Sequence, residues 1–182
     1  MALEIPNTER KLREAAYFLR CLSEKAAAPV RDPEEVLHLL SAFLSAGRSV
    51  SFVLQVEAKE AYDSWFPGWR DSLSVEEQRL LDAMNQQRVS ELHKTGADVR
   101  AELRHVPITE IRTSDHRHPA YGFHWFGPPG MLPPTLGRVE HFFELGDGPE
   151  PVANGCRRYY TVLERLAREF KEAVRVGGRD RT

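Results

Sequence analysis

The chain has 182 residues and a formal net charge of −2, and its composition, 41% hydrophobic and 29% charged, is typical of a soluble globular domain. This charge excludes a protein that binds nucleic acid through a generally basic surface. The two cysteines, Cys21 and Cys156, are too few for a disulfide framework or a cysteine-based zinc site. We expect a cytoplasmic protein with no membrane partner, because the sequence shows neither a signal peptide nor an uninterrupted apolar run of membrane length.

The first predicted helix covers about residues 7–28. Asn7 or Thr8 suits its N-cap position, and Pro29 follows its end. Apolar residues recur along it at helical spacing, which indicates one buried side.

The second predicted helix covers about residues 33–62. Asp32 suits the N-cap, Pro33 the first helical position and Glu35 the third position of a capping box. Most of its sides are apolar, as in the central helix of a bundle, but one face is small and polar. That face carries His38, Ser41, Ser45, Arg48 and Phe52. Such a strip indicates either close helix packing or the wall of a site.

The sequence DSWFPGWRDSL is predicted to be a short aromatic connection that Pro67 and Gly68 interrupt. A third helix is then predicted from Ser74, with Glu77 completing a capping box, to about Gly96.

Residues 97–111 favour neither helix nor strand. Residues 113–147 are rich in proline, glycine and aromatics, and YGFHWF and RVEHFFEL both alternate in polarity. We predict that these two stretches form a β-hairpin with a long loop. A last helix is predicted over about residues 152–174, with Tyr159, Tyr160, Val162, Leu163, Leu166 and Phe170 on its buried side.

The predicted fold is therefore mainly α: one domain, residues 1–182, built as a bundle of four to five helices with a β-hairpin inserted before the last helix. The helical core covers about residues 7–96 and 152–175, and the insertion about 113–147. Two strands are marginal alone, so the hairpin must pack on the bundle or on a partner chain.

The stretch MNQQRVSELHKT holds the main candidate site, Arg88 followed five positions later by His93. The spacing itself carries little information. With 20 arginines and seven histidines in 182 residues, about one such pair is expected by chance, and Arg100 and His105 form a second one.

The helical context sets Arg88 apart. At about 100° per residue, Arg88 falls at the centre of an apolar arc, and His93 lies at its edge. The arc is formed by Leu80, Leu81, Met84, Val89 and Leu92. Because burial of an unpaired guanidinium is costly, we expect Arg88 either to border a cleft or interface or to pair with an internal acid.

Three stretches resemble the HEPN superfamily of small helical domains. REAAYFLRCL resembles its first helix, EVLHLLSAFLSAGRSVSFVLQVE its second, and RVSELH its motif, in which His follows Arg after four to six residues. With the last helix, the resemblance covers the chain except for about residues 97–151. It implies an HEPN-like bundle and metal-independent cleavage of RNA, without a cofactor, by a toxin or defence component.

The resemblance also implies a homodimer with a composite site at the interface, where Arg88 and His93 are the catalytic residues. Arg88 can bind phosphate oxygens with its planar fork, and His93 can transfer a proton near neutral pH. A two-fold axis would bring a second Arg/His set to the same cleft. RNA is then the expected substrate, and a protein such as an antitoxin is a further expected partner.

Two alternatives stay open. The residue after the motif arginine is usually polar in the family, often Asn, but it is Val89 here, which favours a non-catalytic module that binds a nucleotide, an anion or a protein. The other alternative is a structural dimer domain that assembles through its hairpin.

Other polar residues have ordinary structural roles as alternatives. Arg48 could bind phosphate beside Arg88 or neutralise a buried carboxylate. Asp115, His116 and His118 offer ligands in a loop but lack a third or fourth partner nearby, so we expect no metal. His124 and His141 could face each other across the predicted hairpin, where ordinary cross-strand contacts are the default.

Overall fold

The computed structural model describes residues 4–28, 32–93, 99–107, 110–112, 122–124, 135–144 and 148–177. Five helices make up most of this part of the chain: α1 (Pro6–Ala27), α2 (Pro33–Glu57), α3 (Lys59–Asp71), α4 (Val75–His93) and α5 (Val152–Gly177). The mainly helical class predicted from the sequence is confirmed.

Helix α1 begins at Pro6, and neither Asn7 nor Thr8 caps it with its own side chain, so this part of the prediction is wrong. The cap comes from the last residue of α2. The carboxylate of Glu57 accepts hydrogen bonds from the backbone N–H groups of Asn7 (2.8 Å) and Thr8 (2.9 Å) and from the Thr8 hydroxyl. Two free amides at the start of α1 are thereby satisfied by a residue about 50 positions away.

Asp32 caps helix α2 as predicted, because its Oδ1 accepts a hydrogen bond from the Glu34 N–H at 2.9 Å. The predicted capping box is not completed, because Glu35 makes no hydrogen bond to the Asp32 N–H. The carboxylate of Glu35 contacts Lys25 near the end of α1 at 2.9 Å. Helix α2 ends at Glu57 rather than at the predicted residue 62, because Ala58 leaves the helical conformation (φ −143°, ψ 48°).

The predicted aromatic connection is helix α3, which contains Pro67. Its aromatic side chains pack on Phe170 of α5, with ring centroids 6.2 Å away for Tyr62 and 5.3 Å away for Trp65. This tertiary packing stabilises a helix that the local sequence alone does not favour.

Helix α4 starts with the predicted capping box. The Ser74 N–H donates to Glu77 Oε2 (2.9 Å), and the Glu77 N–H donates to Ser74 Oγ (3.2 Å). Helix α4 is antiparallel to α5, since Glu77 pairs with Arg165 whereas Met84, farther along α4, lies beside Gly155 near the start of α5.

Helix α2 runs in the same direction as α5 and therefore antiparallel to α4. Gly47 lies against Tyr159, and Tyr62, beyond the end of α2, lies against Phe170. A Cβ on Gly47 would lie only 2.8 Å from the Tyr159 ring, so the two helices pack closely at this point.

The predicted buried side of α5 is confirmed. Five of its six residues are buried, and Tyr160 is partly buried. Helix α2 is the described helix whose length and composition would allow it to cross a membrane. Eight of its residues are buried in the protein core, and core helices commonly share this composition.

Five strands are described: β1 (Arg100–Pro107), β2 (Glu110–Arg112), β3 (Gly122–His124), β4 (Thr135–Glu144) and β5 (Pro149–Pro151). They form an antiparallel three-stranded sheet in the order β1-β4-β5 and a separate two-stranded sheet, β2-β3. The predicted pairing of YGFHWF with RVEHFFEL is therefore wrong, because β3 pairs with β2 and β4 pairs with β1 and β5. Alternating polarity indicates a strand but does not choose its partner.

Candidate functional site

The sequence predicted Arg88 at the centre of the buried side of α4. In the structure Arg88 lies at the border of that side. Leu80 and Met84 are almost completely buried, whereas Val89 is 57% exposed and Arg88 is half-buried. At about 100° per residue, Arg88 lies about 60° from the middle of the side that Leu80 and Met84 define. Its guanidinium therefore has access to solvent without leaving the helix face that borders the core.

No hydrogen bond or ion pair joins Arg88 to any side chain in the part of the chain that the structure describes. The structural alternative, an ion pair with a glutamate of a neighbouring helix, is therefore not found among those residues. A half-buried guanidinium with free donors can bind an external anion.

His93 is the last residue of α4, and its side chain lies outside the described residues. The backbone places it five residues beyond Arg88, about 140° further around the helix axis. Around the helix axis, Val89 lies between Arg88 and His93, and its side chain is exposed.

A cavity of about 330 Å³ lies between α2, α3, α4 and α5. Arg48 and Ser51 contribute from α2, Tyr62 from α3, Asn85 from α4 and Tyr159 from α5. Arg48 is exposed, and its Nη1 donates to Ser51 Oγ at 3.0 Å. The lining comes from four separate parts of the sequence, so the cavity depends on the packing of four helices.

The two aspartates that line this cavity already have cationic or amide partners. Asp63 accepts hydrogen bonds from Lys59 and from Gln55 (2.8 Å). Asp82 accepts two from Arg70 (2.8 and 2.9 Å).

Arg48, by contrast, has no carboxylate partner among the described residues. The structural alternative, in which Arg48 neutralises a buried carboxylate, is therefore not found among these residues, and its positive charge remains available to a ligand.

The two tyrosines of the cavity stay protonated at neutral pH. Burial raises the pKa of Tyr62 to about 12, although the nearby Arg48 opposes this shift. Burial also raises the pKa of Tyr159, again against the effect of Arg48. Both side chains can donate a hydrogen bond to an anion, but neither can serve as a base.

The face of α4 that lines the cavity continues to Arg88. Leu81 and Asn85 line the cavity, and Arg88 follows Asn85 by three residues on the same face. Because α4 and α2 are antiparallel, this turn of α4 runs past Arg48 towards the N-terminal half of α2. We call the cavity and this extension the Arg48–Arg88 groove.

The second Arg/His pair does not form a site. Arg100 and His105 lie on strand β1, and five residues along a strand place side chains on opposite faces. Arg100 pairs with Glu102 and with Glu144 at 3.1 Å.

The other histidine predictions have different outcomes. His124 is opposite Glu110 and His141 is opposite Ala101, so the two do not face each other. Asp115, His116 and His118 lie outside the described residues. Within the described ranges, no group of three His, Cys, Asp or Glu side chains could hold a metal ion.

Tyr62, Asn85 and Tyr159 were not identified from the sequence as site residues. Asn85 could have been, since it shares the α4 face of Leu81 and Arg88. The tyrosines could not, because core packing explains a buried aromatic equally well.

Comparison of the chain with known proteins found no matching family, no matching curated protein and no matching solved structure.

Proposed function

We propose that the protein is an HEPN-like ribonuclease that binds the RNA backbone in the Arg48–Arg88 groove and cleaves it without a metal ion. The observation that carries this proposal is the half-buried guanidinium of Arg88, which has no acidic partner among the described side chains. A phosphodiester is an anion that two guanidinium groups can bind through paired hydrogen bonds.

The proposed chemistry uses the nucleophile that RNA itself carries. One His93 removes the proton of the 2′-hydroxyl, whose oxygen attacks the adjacent phosphorus. The bond to the 5′-oxygen breaks, and a second imidazolium protonates that leaving oxygen, so that a cyclic phosphate and a 5′-hydroxyl result. Arg88 neutralises the charge on the pentacoordinate phosphate.

A homodimer supplies the second histidine, because one His93 cannot carry out both proton transfers at the same moment. The two-fold axis places two Arg88 and two His93 side chains at one cleft. Within this proposal the protein acts as a toxin or defence component in the cytoplasm, and a protein such as an antitoxin is its expected regulator.

The test measures RNA binding and RNA cleavage separately, in EDTA, on single-stranded RNAs of varied sequence. We expect Arg88→Ala to weaken binding and abolish cleavage, and His93→Ala to abolish cleavage while binding persists. Arg79→Ala is the matched control, since Arg79 is an exposed arginine of the same helix outside the groove. Cleavage by Arg88→Ala or by His93→Ala at the wild-type rate would overturn the assignment.

A second candidate function is a non-catalytic module that binds a phosphate-bearing ligand in the same groove. Val89 favours it, because an apolar, exposed residue stands where the resembled family has a polar one. In this case the wild-type protein binds RNA or nucleotides but does not cleave RNA. Ligand binding then raises the melting temperature of the wild type but not of Arg88→Ala.

A further inference from the structure

The cavity between α2, α3, α4 and α5 has a charged mouth and an aromatic inner end. Arg48 is exposed and lies at the mouth. Tyr62, Trp69 and Tyr159 line the same cavity but are only 6%, 5% and 3% exposed. The cavity, of about 330 Å³, therefore extends from the surface into the core of the bundle. Its volume is at the lower end of the range for small-molecule sites, about 300 to 1,000 Å³.

The hydroxyl groups of Tyr62 and Tyr159 have no hydrogen-bond partner among the described residues. Burial and nearby charges, without any hydrogen bond, account for the raised pKa of each. Neither hydroxyl is among the unpaired polar atoms that are closed to solvent, so both are open to the cavity. Polar groups of buried side chains are normally hydrogen-bonded. The two hydroxyls therefore mark the positions where polar groups of a ligand can bind.

Both hydroxyls are set to donate rather than to accept. The positive charge of Arg48 acts on both tyrosines. A nearby cation favours the orientation in which a hydroxyl turns its oxygen towards the charge and its hydrogen away from it. The carboxylates of the lining, Asp63 and Asp82, already accept hydrogen bonds from Lys59 and Arg70. The free groups at the inner end of the cavity are therefore donors, which require acceptor atoms on the ligand.

The inner end suits a planar, uncharged group better than a phosphate. The described lining contains two arginines and two aspartates, so its formal charge is zero. A phosphate moved inwards would lose its hydration without a net positive charge to replace it. Tyr62 stacks on Phe66, with ring centroids 4.8 Å apart, and Trp69 adds a third ring to the lining. Aromatic rings of this kind bind the faces of nucleobases.

We propose that this cavity binds one nucleobase of the RNA and selects a base with a carbonyl group, guanine or uracil. This inference rests on the proposed function, because the RNA backbone occupies the adjoining Arg48–Arg88 groove. Tyr62 and Tyr159 donate hydrogen bonds to the carbonyl, whereas adenine and cytosine carry an amino group at the corresponding position. Asn85 precedes Arg88 by about one helical turn, so the base in the cavity and the phosphate at Arg88 can belong to neighbouring nucleotides.

The experiment measures the affinity of the full-length protein for the guanine, uracil, adenine and cytosine nucleoside 3′-monophosphates by isothermal titration calorimetry. We expect the guanine or the uracil nucleotide to bind about tenfold or more tightly than the adenine and cytosine nucleotides. Tyr62→Phe and Tyr159→Phe should each reduce this preference about threefold to tenfold, because each removes one hydrogen bond and keeps the ring.

Tyr160→Phe is the matched control, since Tyr160 is the neighbour of Tyr159 on α5, lies outside the cavity and interacts with Glu164. It should leave the preference among the four nucleotides unchanged. A second measurement separates binding from a structural role. Because the Tyr159 hydroxyl makes no hydrogen bond in the free protein, Tyr159→Phe should not lower the melting temperature in the absence of nucleotide.

The inference is overturned if no nucleotide binds, if the four bind with equal affinity, or if Tyr159→Phe changes the preference no more than Tyr160→Phe does. These measurements require neither cleavage nor a dimer, so their outcome is independent of the test of the proposed function. Metal-independent cleavage of RNA together with equal nucleotide affinities would overturn the base-selective cavity alone. A preference for guanine or uracil without cleavage would support the cavity and overturn the ribonuclease.

Discussion

At the scale of single residues, Glu57 connects the end of α2 to the start of α1. Its carboxylate accepts three hydrogen bonds, two from backbone amides and one from the buried Thr8 hydroxyl. We expect Glu57→Ala to lower the free energy of unfolding by about 1 to 2 kcal/mol, as the loss of an N-cap does. Urea denaturation at neutral pH measures this difference. A loss within error of zero would show that water replaces the carboxylate without cost.

The same residue predicts how stability depends on pH. Burial by itself would raise the pKa of Glu57, but the hydrogen bonds from Thr8 and Asn7 outweigh burial and lower the pKa below that of an ordinary glutamate. The folded state therefore binds the Glu57 proton more weakly than the unfolded chain does. The stabilisation is complete above the unfolded pKa and is lost as pH falls through the folded one.

Glu57→Gln tests this dependence, because the amide keeps one acceptor but does not titrate. The difference in unfolding free energy between wild type and Glu57→Gln should shrink as pH is lowered from about 6 to about 3, across the titration range of a carboxyl group. Urea denaturation at several pH values measures it. A difference that stays constant over this range would contradict the assignment of the shift to Glu57.

At the scale of helices and strands, the features that could be predicted from the sequence are those that depend on residues close together in the chain. Asp32 caps α2, and Ser74 with Glu77 caps α4, because each cap is complete within four residues. The Glu57 cap was not predictable, since it joins residues about 50 positions apart. Helix α3 and the partner of β4 were missed for the same reason, because contacts with distant parts of the chain decide both.

The contact between α2 and α5 gives a prediction at this scale. A methyl group on Gly47 would lie 2.8 Å from Cε1 of Tyr159, whose ring is buried and packs edge-on against Phe43. Because the ring has little room to move, we expect Gly47→Ala to destabilise the protein by about 1 to 2 kcal/mol, as overpacking outweighs the higher helix propensity of alanine. The midpoint of urea denaturation measures the change.

Gly68→Ala is the matched control for this substitution. Gly68 also lies within a helix, α3, but a methyl group there would meet no described atom within 4 Å beyond its own helix backbone and chain neighbours. The same change should therefore stabilise the protein by about 0.5 to 1 kcal/mol through helix propensity alone. Equal effects of the two substitutions would contradict a close α2–α5 contact.

At the scale of the whole molecule, part of the candidate site was predictable. Arg88 was identified because it falls within an apolar arc of α4, where a charged side chain is unexpected, and Arg48 because it lies on the small polar face of the otherwise apolar helix α2. The cavity that Arg48 lines was not predictable, since it forms only when α2, α3 and α4 pack with α5, which the strands separate from them in sequence. The centre of the buried side of α4 was also misplaced, because Val89 was counted as a core residue although it is exposed.

Exposure of Val89 leads to a prediction about assembly, which rests on the proposed dimer. In that dimer the face of α4 that carries Val89, between Arg88 and His93, meets its copy, so a charge there is desolvated on association. We expect Val89→Glu to reduce the dimer fraction in sedimentation experiments and to reduce RNA cleavage with it. Val75→Glu is the matched control, because Val75 begins the same helix and is equally exposed, at 59% against 57%. A wild type that sediments as a monomer, or a dimer that tolerates Val89→Glu as well as Val75→Glu, would exclude a composite site at this face.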